Sequence, residues 1–399
     1  MGTALDRHVR IGWARGADGV RLDQVLAFAM RAPSSFTGED VAELQGHGGP
    51  HNLAALLANV VAHGARLAAP GEFTRRAVLN GKLDLLRAEA LFGVIHAASE
   101  RALRLAQANL GGRLGETAAD LERRTLSALA EIEGRIDFPD DDLGVEEAKV
   151  VDAELGALVK RCGELADGFR HGRAVQHGIT VALVGAVNAG KSSLLNALIG
   201  SERAIVAASP GTTRDYLEAV TVWSGVAVTL IDTAGLREAA DPVEARGIEL
   251  GEKRVEAADV VIVVNDGSAA WNDGSRYGER AVVVRSKADL GESPRPALAT
   301  STVTGAGLAE LQQRVIALAG VAEREGSEAA FVTTERQHGV MVRARDALAS
   351  AVAARTSGAV AEVVALELRE AAAALAELRG TEVGDRVLDE VFARFCIGK

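Results

Sequence analysis

A glycine-rich segment that ends in lysine and serine restricts this chain to few folds. Residues 185–192 read G-x-x-x-x-G-K-S, between a buried-strand pattern over 179–184 and a helix-forming run over 193–199. The two glycines let backbone N–H groups face phosphate oxygens, and the helix N-terminus adds positive potential. A glycine-rich turn without the Lys-Ser pair is more often a structural loop. The setting predicts a P-loop, in which Lys191 reaches the β- and γ-phosphates and Ser192 ligates Mg²⁺.

Two further segments follow in the order of a nucleotide switch. Pro210-Gly-Thr-Thr-Arg-Asp215 contains Thr213, which can complete the Mg²⁺ shell. A strand pattern over 226–231 ends in Asp232-Thr-Ala-Gly235. Asp232 can hold a Mg²⁺-bound water, and the Gly235 N–H can contact a γ-phosphate, so that hydrolysis would release this segment. Together with the P-loop, these segments predict a nucleoside triphosphatase.

The base-recognition segment departs from the usual Asn-Lys-x-Asp pattern and reads Ser286-Lys-Ala-Asp289. Asp289 can accept two hydrogen bonds from the N1–H and N2–H₂ edge of guanine, and adenine cannot supply both donors. Ser286 is shorter than Asn and is expected to lose one contact to the base or the loop, which predicts GTP specificity with weakened affinity. Thr300-Ser301-Thr302 fits the last base-contacting loop, with Thr302 where Ala is usual.

The residue after Asp-x-x-Gly is Leu236, which cannot orient water as the glutamine of small signalling GTPases does. Two residues are candidates for the catalytic contribution that Leu236 cannot make. Asn188, in the P-loop, can help to bind a monovalent cation in place of an arginine finger. Glu244 can position water from the second switch segment. The alternative for Glu244 is a solvated helix residue, and the sequence leaves both open.

Charge and cysteine content narrow the class of protein. A net charge of -11 makes the whole surface a poor RNA binder, so any nucleic-acid contact needs a local basic patch. Only 2 cysteines, Cys162 and Cys396, argue against a disulfide framework and favour a reducing compartment. Apolar runs such as 260–264 are too short to span a bilayer, and residues 1–20 have no apolar signal core. We expect a cytoplasmic protein without membrane segments.

Helical patterns flank the switch segments on both sides. Spacing of 3.6 residues predicts helix over 83–135 and 145–176, with an acidic turn around Pro139 between them, and again over 335–355 and 360–379. We favour the interpretation that these apolar stripes pack into a hydrophobic core. The two groups of helices resemble halves of one helical domain into which a GTPase domain is inserted.

The predicted fold class is α/β and α. The expected domains are an N-terminal α/β domain (1–82), the first part of a helical domain (83–177), a P-loop GTPase domain with a mainly parallel, doubly wound sheet (178–322), and the second part of the helical domain (323–399).

Short motifs outside the GTPase segments carry a resemblance to a known family. They are P-S-S-F-T-G-E-D at 33–40, P-G-E-F-T-x-R at 70–76, G-K-L-D-L at 81–85 and C-I-G-K at 396–399. With the switch segments, they make the chain similar over nearly its whole length to the MnmE (TrmE) family of tRNA-modification GTPases.

The resemblance implies a reaction and partners. Members hydrolyse GTP and, with the FAD- and NADH-dependent protein MnmG, build an aminomethyl or carboxymethylaminomethyl group at C5 of the wobble uridine (U34) of certain tRNAs. The resemblance further implies a homodimer and a heterotetramer or larger complex with MnmG. It also implies a folate one-carbon donor (5-formyl- or methylene-tetrahydrofolate) on the N-terminal domain, and GTPase domains that pair across K⁺.

The resemblance also assigns roles to residues. Asn188, with the loop carbonyls of Ala207, Ser209 and Thr212, matches the K⁺ ligands. Ala207 and Ser209 depart from the usual residues, but the family ligands there are backbone carbonyls. Glu244 matches the catalytic glutamate of the family, and Glu43, Lys82 and Lys399 match folate contacts. Lys191, assigned from the P-loop motif, is the other expected catalytic residue. The expected GTP contacts are Asn188, Ala189, Gly190, Lys191, Ser192, Ser193, Ala207, Ala208, Ser209, Pro210, Gly211, Thr212, Thr213, Asp232, Thr233, Ala234, Gly235, Lys287, Asp289 and Ser301.

Family members usually begin with a strand that contains I-A-T-P-x-G and R-I-S-G patterns, and no such pattern precedes Arg7-His-Val-Arg10. We therefore expect the first αβ unit of the N-terminal domain to be missing, and one folate-contacting arginine to be missing with it. Either the start codon is misassigned or the copy is truncated.

Two questions stay open at the level of sequence. Cys396 can act as a thiolate nucleophile with a pKa lowered by Lys399, or it can pack against Phe392 and Ile397 and position Lys399. No base is adjacent, which favours packing, and Cys162 is expected to be inert. The alternatives to a tRNA-modifying enzyme are a GTP-dependent assembly or ribosome-associated factor, and a truncated copy that retains only nucleotide switching.

Overall fold

The computed structural model describes residues 7–137, 145–200, 218–232, 251–267, 271–291, 297–321, 330–381 and 384–395. The strands are β1 (Arg10–Arg15), β2 (Arg21–Met30), β3 (Val41–Gln45), β4 (Ile179–Gly185), β5 (Glu218–Trp223), β6 (Val226–Asp232), β7 (Val260–Asn265), β8 (Ala281–Arg285) and β9 (Leu298–Ala299). The helices are α1 (Pro50–Ala62), α2 (Glu72–Leu79), α3 (Leu85–Ile95), α4 (Glu100–Leu110), α5 (Arg113–Asp137), α6 (Val145–Asp167), α7 (Phe169–His177), α8 (Lys191–Ile199), α9 (Leu308–Leu318), α10 (Glu335–Thr356), α11 (Ala361–Arg379) and α12 (Asp385–Phe392). Residues 251–257 are also helical.

The N-terminal unit is a three-stranded antiparallel sheet, in the order β1-β2-β3, with α1 and α2. Side chains alternate between the two faces of a strand, and Val25 and Ala29 of β2 are buried, as is Leu56 of α1. The segment before β3 is hydrogen-bonded to α2 and to the residue that follows it. Arg76 of α2 donates to Glu39 Oε2 at 2.8 Å, and Nδ2 of Asn80, directly after α2, donates to the Thr37 carbonyl at 2.8 Å.

The helical unit consists of α3 to α7 followed, after the sheet, by α10 and α11. The long helical pattern over 83–135 forms three helices because Ser99 caps α4, accepting from the Ala102 N–H, and Gly112 takes a positive φ of 103° before α5. One apolar cluster draws on both halves, with Leu121, Leu155 and Cys162 on one side of the insertion and Leu348, Leu368 and Leu375 on the other. The apolar stripes are therefore core packing, as expected.

The third unit is a six-stranded sheet in the order β5-β6-β4-β7-β8-β9. β5 is antiparallel to β6, and the other neighbours pair in parallel. On one face of the sheet, Leu183 of β4 packs in an apolar cluster with Leu194 of α8. A second apolar cluster combines Ala182 of β4 with Val255 of the helical residues 251–257. The expected mixed α/β sheet is present. Its parallel strands bring the carboxyl ends of β4, β6, β7, β8 and β9 to one edge.

The chain passes between the helical unit and this sheet twice, at adjacent points, and we call the two passages the double crossing (residues 169–178 and 330–334). Asn109 Nδ2 of α4 donates to the Phe331 carbonyl at 3.2 Å. A Cβ at Gly172 would lie 2.2 Å from the Val332 carbonyl oxygen, so the outgoing helix and the returning segment touch through a position that only glycine fits. Gln176 Nε2 donates to the Gly93 carbonyl of α3 at 3.2 Å.

The C-terminal helix α12 returns to the N-terminal part of the chain. Phe392 and Phe395 are buried with Leu85 and Ala88 of α3, and the partly buried Phe92 packs against Phe395. Within the parts of the chain that the structure describes, every helix is too short or too polar to cross a membrane.

Candidate nucleotide-binding site

The P-loop runs from the end of β4 to the start of α8. A Cβ at Gly185 would lie 2.2 Å from the Val264 carbonyl oxygen of β7, so the loop can leave the sheet only with glycine there. Asn188 and Gly190 take left-handed conformations, with φ of 61° and 91°. Successive turns of this kind expose backbone N–H groups in a concavity that suits an anion. The predicted loop is therefore present, with a backbone conformation that suits an anion.

Lys191, the first residue of α8, is buried with 6% of its surface exposed. Its Nζ donates to the carbonyls of Gly185 at 3.2 Å and Ala186 at 2.8 Å, which holds the ammonium against the loop. A buried ammonium beside a helix N-terminus makes the loop strongly positive for a phosphate.

Ser192 lies beside the carboxylate that ends β6. Its Oγ donates to Asp232 Oδ2 at 2.8 Å, and Asp232 is 5% exposed. The parallel pairing of β4 with β6 places Leu183 opposite Asp232, which explains how residues distant in sequence meet. A hydroxyl and a carboxylate are the oxygen donors that Mg²⁺ takes, so this pair fits the expected ion.

The base-recognition segment is bonded to the P-loop through Lys287. Its Nζ donates to the Asn188 carbonyl at 2.9 Å and to Asp266 Oδ2 at 3.0 Å. Lys287 takes a φ of 54°, which turns the chain after β8. This lysine thus links the segment after β8 to the P-loop and to the end of β7.

Ser286 does more than the sequence indicated. It is 5% exposed, and its Oγ donates at 2.6 Å to the Ala189 carbonyl and lies 3.2 Å from the Asn265 carbonyl. The expectation was the loss of one contact to the base or to the loop, and this hydroxyl keeps contacts to the loop; the weakened GTP affinity stays a prediction. The shorter side chain still holds the P-loop because the segment after β8 approaches the loop closely: the Ser286 Oγ is 3.4 Å from where a Gly190 Cβ would lie.

Asp289 and Ser301 meet at the same edge of the sheet. Ser301 Oγ donates to Asp289 Oδ1 at 2.6 Å, and the Ala288 N–H donates to the Thr300 carbonyl at 3.1 Å. The Ser301 hydroxyl, followed by the backbone N–H of Asp289, lowers the pKa of the exposed Asp289 carboxyl. Asp289 is held as an ionised acceptor, which is what the N–H edge of guanine requires.

Replacing Ser286 by Ala should weaken GTP binding by about tenfold, the cost of a lost hydrogen bond that leaves a buried carbonyl unpaired. The measurement is the Kd of a fluorescent GTP analogue, with the melting temperature recorded in parallel. A Kd within twofold of the wild-type value would show that the serine hydroxyl does not hold the loop.

Two polar residues of the site had not been singled out from the sequence. Asn265, at the end of β7, exchanges hydrogen bonds with the backbone of Asn272 at 2.9 Å, and Asp266 pairs with Lys287. The signal that could have found them is a polar pair directly after the buried strand of residues 260–264.

The residues assigned to folate belong to the N-terminal unit. Glu43 lies on β3 opposite Phe28, and Gln45 Nε2 lies 3.5 Å from its Oε2. Lys82 precedes α3 and donates to the Pro33 carbonyl at 3.0 Å. Cys162 is buried in the helical unit, and burial raises the pKa of its thiol to about 11, in agreement with an inert cysteine.

Several predicted site residues lie outside the described residues. They are Ala207, Ala208, Ser209, Pro210, Gly211, Thr212, Thr213, Thr233, Ala234, Gly235, Leu236, Glu244, Cys396 and Lys399.

A P-loop with a buried lysine, a serine–aspartate pair and a base-contacting segment on one sheet edge define the protein as a P-loop nucleotide-binding protein of the GTPase class. A family model described as the MnmE helical domain matches residues 85–396, and one described as the GTP-binding protein TrmE N-terminus matches residues 3–82. The chain belongs to the MnmE family.

Curated relatives agree with this membership. The chain is 42% identical over 394 residues to the tRNA modification GTPase MnmE of Synechococcus sp. (strain CC9605), an alignment that covers 96% of this chain and 87% of the relative. It is 39% identical over 417 residues to the tRNA modification GTPase MnmE of Symbiobacterium thermophilum, covering 100% of this chain and 91% of the relative. The enzyme class of the chain is therefore GTP hydrolase.

Among solved structures, the G domain of the T. maritima FeoB iron transporter is 30% identical to the matched part, covers 35% of this chain and 98% of its own, and has a TM-score of 0.28.

Proposed function

We propose that the chain is a K⁺-activated cytoplasmic GTPase that, with an MnmG-like FAD protein, takes part in adding an aminomethyl or carboxymethylaminomethyl group at C5 of the wobble uridine (U34) of certain tRNAs. The observation that carries the GTPase part is the contact of Ser192 with Asp232 at 2.8 Å, next to the buried ammonium of Lys191. Family membership over nearly the whole chain supports the tRNA part.

Each part of the nucleotide has a proposed partner in the site. Asp289 and Ser301 take the guanine, Lys287 closes the space between base and phosphates, and the loop 188–193 surrounds the phosphates. Ser192 and Thr213 would hold Mg²⁺, with the Asp232 carboxylate beside Ser192 to support it. The bound ion would neutralise phosphate charge as it accumulates.

Hydrolysis forms a bond from a water oxygen to the γ-phosphorus and breaks the bond from that phosphorus to the β–γ bridging oxygen. The water proton passes to the released phosphate. Lys191 stabilises the charge that gathers on the phosphate oxygens, and the loop N–H groups hold those oxygens in line. We assign orientation of the water to Glu244.

Asn188 is proposed as the side-chain ligand of K⁺. It is exposed in its left-handed conformation, and its backbone carbonyl already accepts from Lys287, so the amide oxygen of its side chain is the atom offered to a cation. The other proposed ligands are the carbonyls of Ala207, Ser209 and Thr212.

The N-terminal unit is proposed to form the homodimer and to bind folate through Glu43, Lys82 and Lys399. Ile11 pairs with Leu26 across β1 and β2, and Trp13 lies two residues along on the same face. These three apolar side chains are 71%, 37% and 48% exposed, which supports a face that another copy of the chain covers.

We propose domain boundaries at residues 82/83, 177/178 and 322/323, and a doubly wound sheet for the GTPase domain. The passage from α7 into β4 at Gly178 supports the second boundary.

The test of the tRNA function is mass-spectrometric nucleoside analysis of tRNA from a strain in which this gene is deleted. We expect the modified wobble uridine to disappear, to return with the full chain, and to stay absent with Lys191→Ala. Unchanged nucleosides in the deletion strain would exclude this function and favour a GTP-dependent assembly or ribosome-associated factor.

Replacing Asp289 by Asn should shift nucleotide choice from GTP to xanthosine triphosphate. The carboxylate accepts two N–H donors from guanine, whereas the amide supplies one donor and one acceptor, which suits xanthine. We expect GTP affinity to fall by at least about 10²-fold, measured by competition against a fluorescent analogue. If both affinities stay at their wild-type values, this segment does not read the base.

A further inference from the structure

Two consecutive carbonyls of the P-loop are bonded to two consecutive residues of the base-recognition segment. Lys287 Nζ donates to the Asn188 carbonyl at 2.9 Å, and Ser286 Oγ donates to the Ala189 carbonyl at 2.6 Å. Both contacts are to main-chain atoms, so they hold the backbone of the loop and do not use the Asn188 side chain. The base-recognition segment therefore sets the conformation of the loop at the residue to which K⁺ binding is assigned.

Each of the two donors is also bonded to the end of β7. Lys287 Nζ lies 3.0 Å from Asp266 Oδ2, and Ser286 Oγ lies 3.2 Å from the Asn265 carbonyl. The Asp266 side chain is 8% exposed, whereas that of Lys287 is 40% exposed. A buried carboxylate is a fixed partner, and a lysine that reaches solvent has a flexible stem. Asp266 therefore decides whether the ammonium stays on the P-loop or turns to water.

The backbone at both ends of this contact is in a conformation that neighbouring contacts must hold. Asn188 and Lys287 are left-handed, with φ of 61° and 54°. Residues other than glycine adopt this region rarely, and they stay in it where the surrounding structure fixes them. The bond from the Lys287 ammonium to the Asn188 carbonyl joins the two positions directly. Loss of that bond would free the loop backbone that orients the Asn188 amide.

We propose that Asp266 is a positioning residue for the monovalent cation at Asn188. The carboxylate holds the Lys287 ammonium on the Asn188 carbonyl, and the Asn188 amide is thereby presented in one direction. A ligand held in its binding conformation takes up a cation at lower concentration, because less conformational freedom is lost on binding. Asp266 acts through Lys287 and is not itself a ligand. The inference rests on the proposed function in one respect, since it requires a cation at Asn188.

Asp266→Asn tests this on the full chain, because the amide keeps the shape of the carboxylate and removes its charge. We expect the K⁺ concentration for half-maximal turnover at saturating GTP to rise about tenfold, the effect of one lost charge-assisted hydrogen bond. The rate should recover toward the wild-type value when K⁺ is saturating. A direct readout is the affinity for Tl⁺, an ion of nearly the same radius as K⁺, measured by thallium NMR with a non-hydrolysable GTP analogue. This affinity should fall by the same factor.

Asp273→Asn is the matched control. The Asp273 carboxylate also lies in the segment after β7, where it accepts from the Ser275 N–H at 3.0 Å. The variant removes an equal charge from this segment without touching the link to the P-loop, so it should keep the wild-type affinity for Tl⁺. Combining Asp266→Asn with Asn188→Ala should lower the Tl⁺ affinity no further than Asn188→Ala alone, because both residues act on one ligand.

A crystal structure of the wild-type chain with Tl⁺ and the GTP analogue decides the question even where a variant folds poorly. A Lys287 ammonium bonded to both Asp266 and the Asn188 carbonyl, beside an ordered Tl⁺, supports the proposal. An ammonium turned away from that carbonyl while Tl⁺ is bound overturns it. An unchanged Tl⁺ affinity in Asp266→Asn overturns it as well and leaves the cation at Asn188 standing. A wild-type chain that binds no Tl⁺ refutes the cation and this inference together.

Discussion

GTP turnover is expected to be much faster in KCl than in NaCl, and Asn188→Ala should abolish the difference. A monovalent cation at Asn188 would neutralise charge where other GTPases use an arginine finger, and such neutralisation supplies about 10³-fold or more at its upper end. The ionic radius of K⁺, rather than ionic strength, should set the rate. The measurement is phosphate release at equal total salt with saturating GTP and Mg²⁺.

The structure provides a matched control in the same loop. Val187 is 65% exposed and adjacent to Asn188, so Val187→Ala shortens a neighbouring side chain without touching the proposed ligand. We expect this variant to keep the K⁺ dependence. Equal wild-type rates in both salts would refute the cation hypothesis, and the other site assignments would stand.

Glu244→Ala should slow hydrolysis by about 10²-fold or more while GTP affinity stays nearly intact. Leu236 has no polar atom with which to hold water, so loss of the only assigned positioning group removes an interaction made mainly in the transition state. Single-turnover hydrolysis in saturating K⁺, with Kd measured separately, distinguishes the two quantities.

Glu249→Ala is the control, since it removes a carboxylate five residues further along the same segment. It should change the rate little. If Glu244→Ala hydrolyses GTP at the wild-type rate, the glutamate is a solvated helix residue and another group orients the water.

The parts of the fold that follow from local physics were readable in the sequence. The P-loop could be placed because glycine, lysine and serine have separate physical roles at fixed spacing, and the strand before it is apolar except for Thr180. The helical stripes were equally clear, because the 3.6-residue spacing of apolar residues is a property of a single helix. The breaks between α3, α4 and α5 also have local causes, since Ser99 caps the start of α4 and Gly112 takes a positive φ before α5.

Contacts between distant residues were not readable. The contact of Ser286 with the P-loop could not be predicted from the length of its side chain, because the distance from that serine to the Ala189 carbonyl depends on how closely two loops approach. Asp266 acquires its role only because Lys287, in the segment after the next strand, comes within 3.0 Å of its carboxylate. Gly172 looks like a helix-weakening residue until the Val332 carbonyl is found against it. Such information lies in the packing of units against each other.

The double crossing has a consequence for the order in which the chain acquires its structure during synthesis. The core of the helical unit combines side chains from both sides of the inserted sheet, so α3 to α7 leave the ribosome long before α10 and α11, their packing partners, exist. The sheet, in contrast, is continuous in sequence. Domains fold as units once their residues are available. The nucleotide-binding unit can therefore mature first, while the helices that precede it in the chain wait with exposed apolar stripes for the last part of the protein.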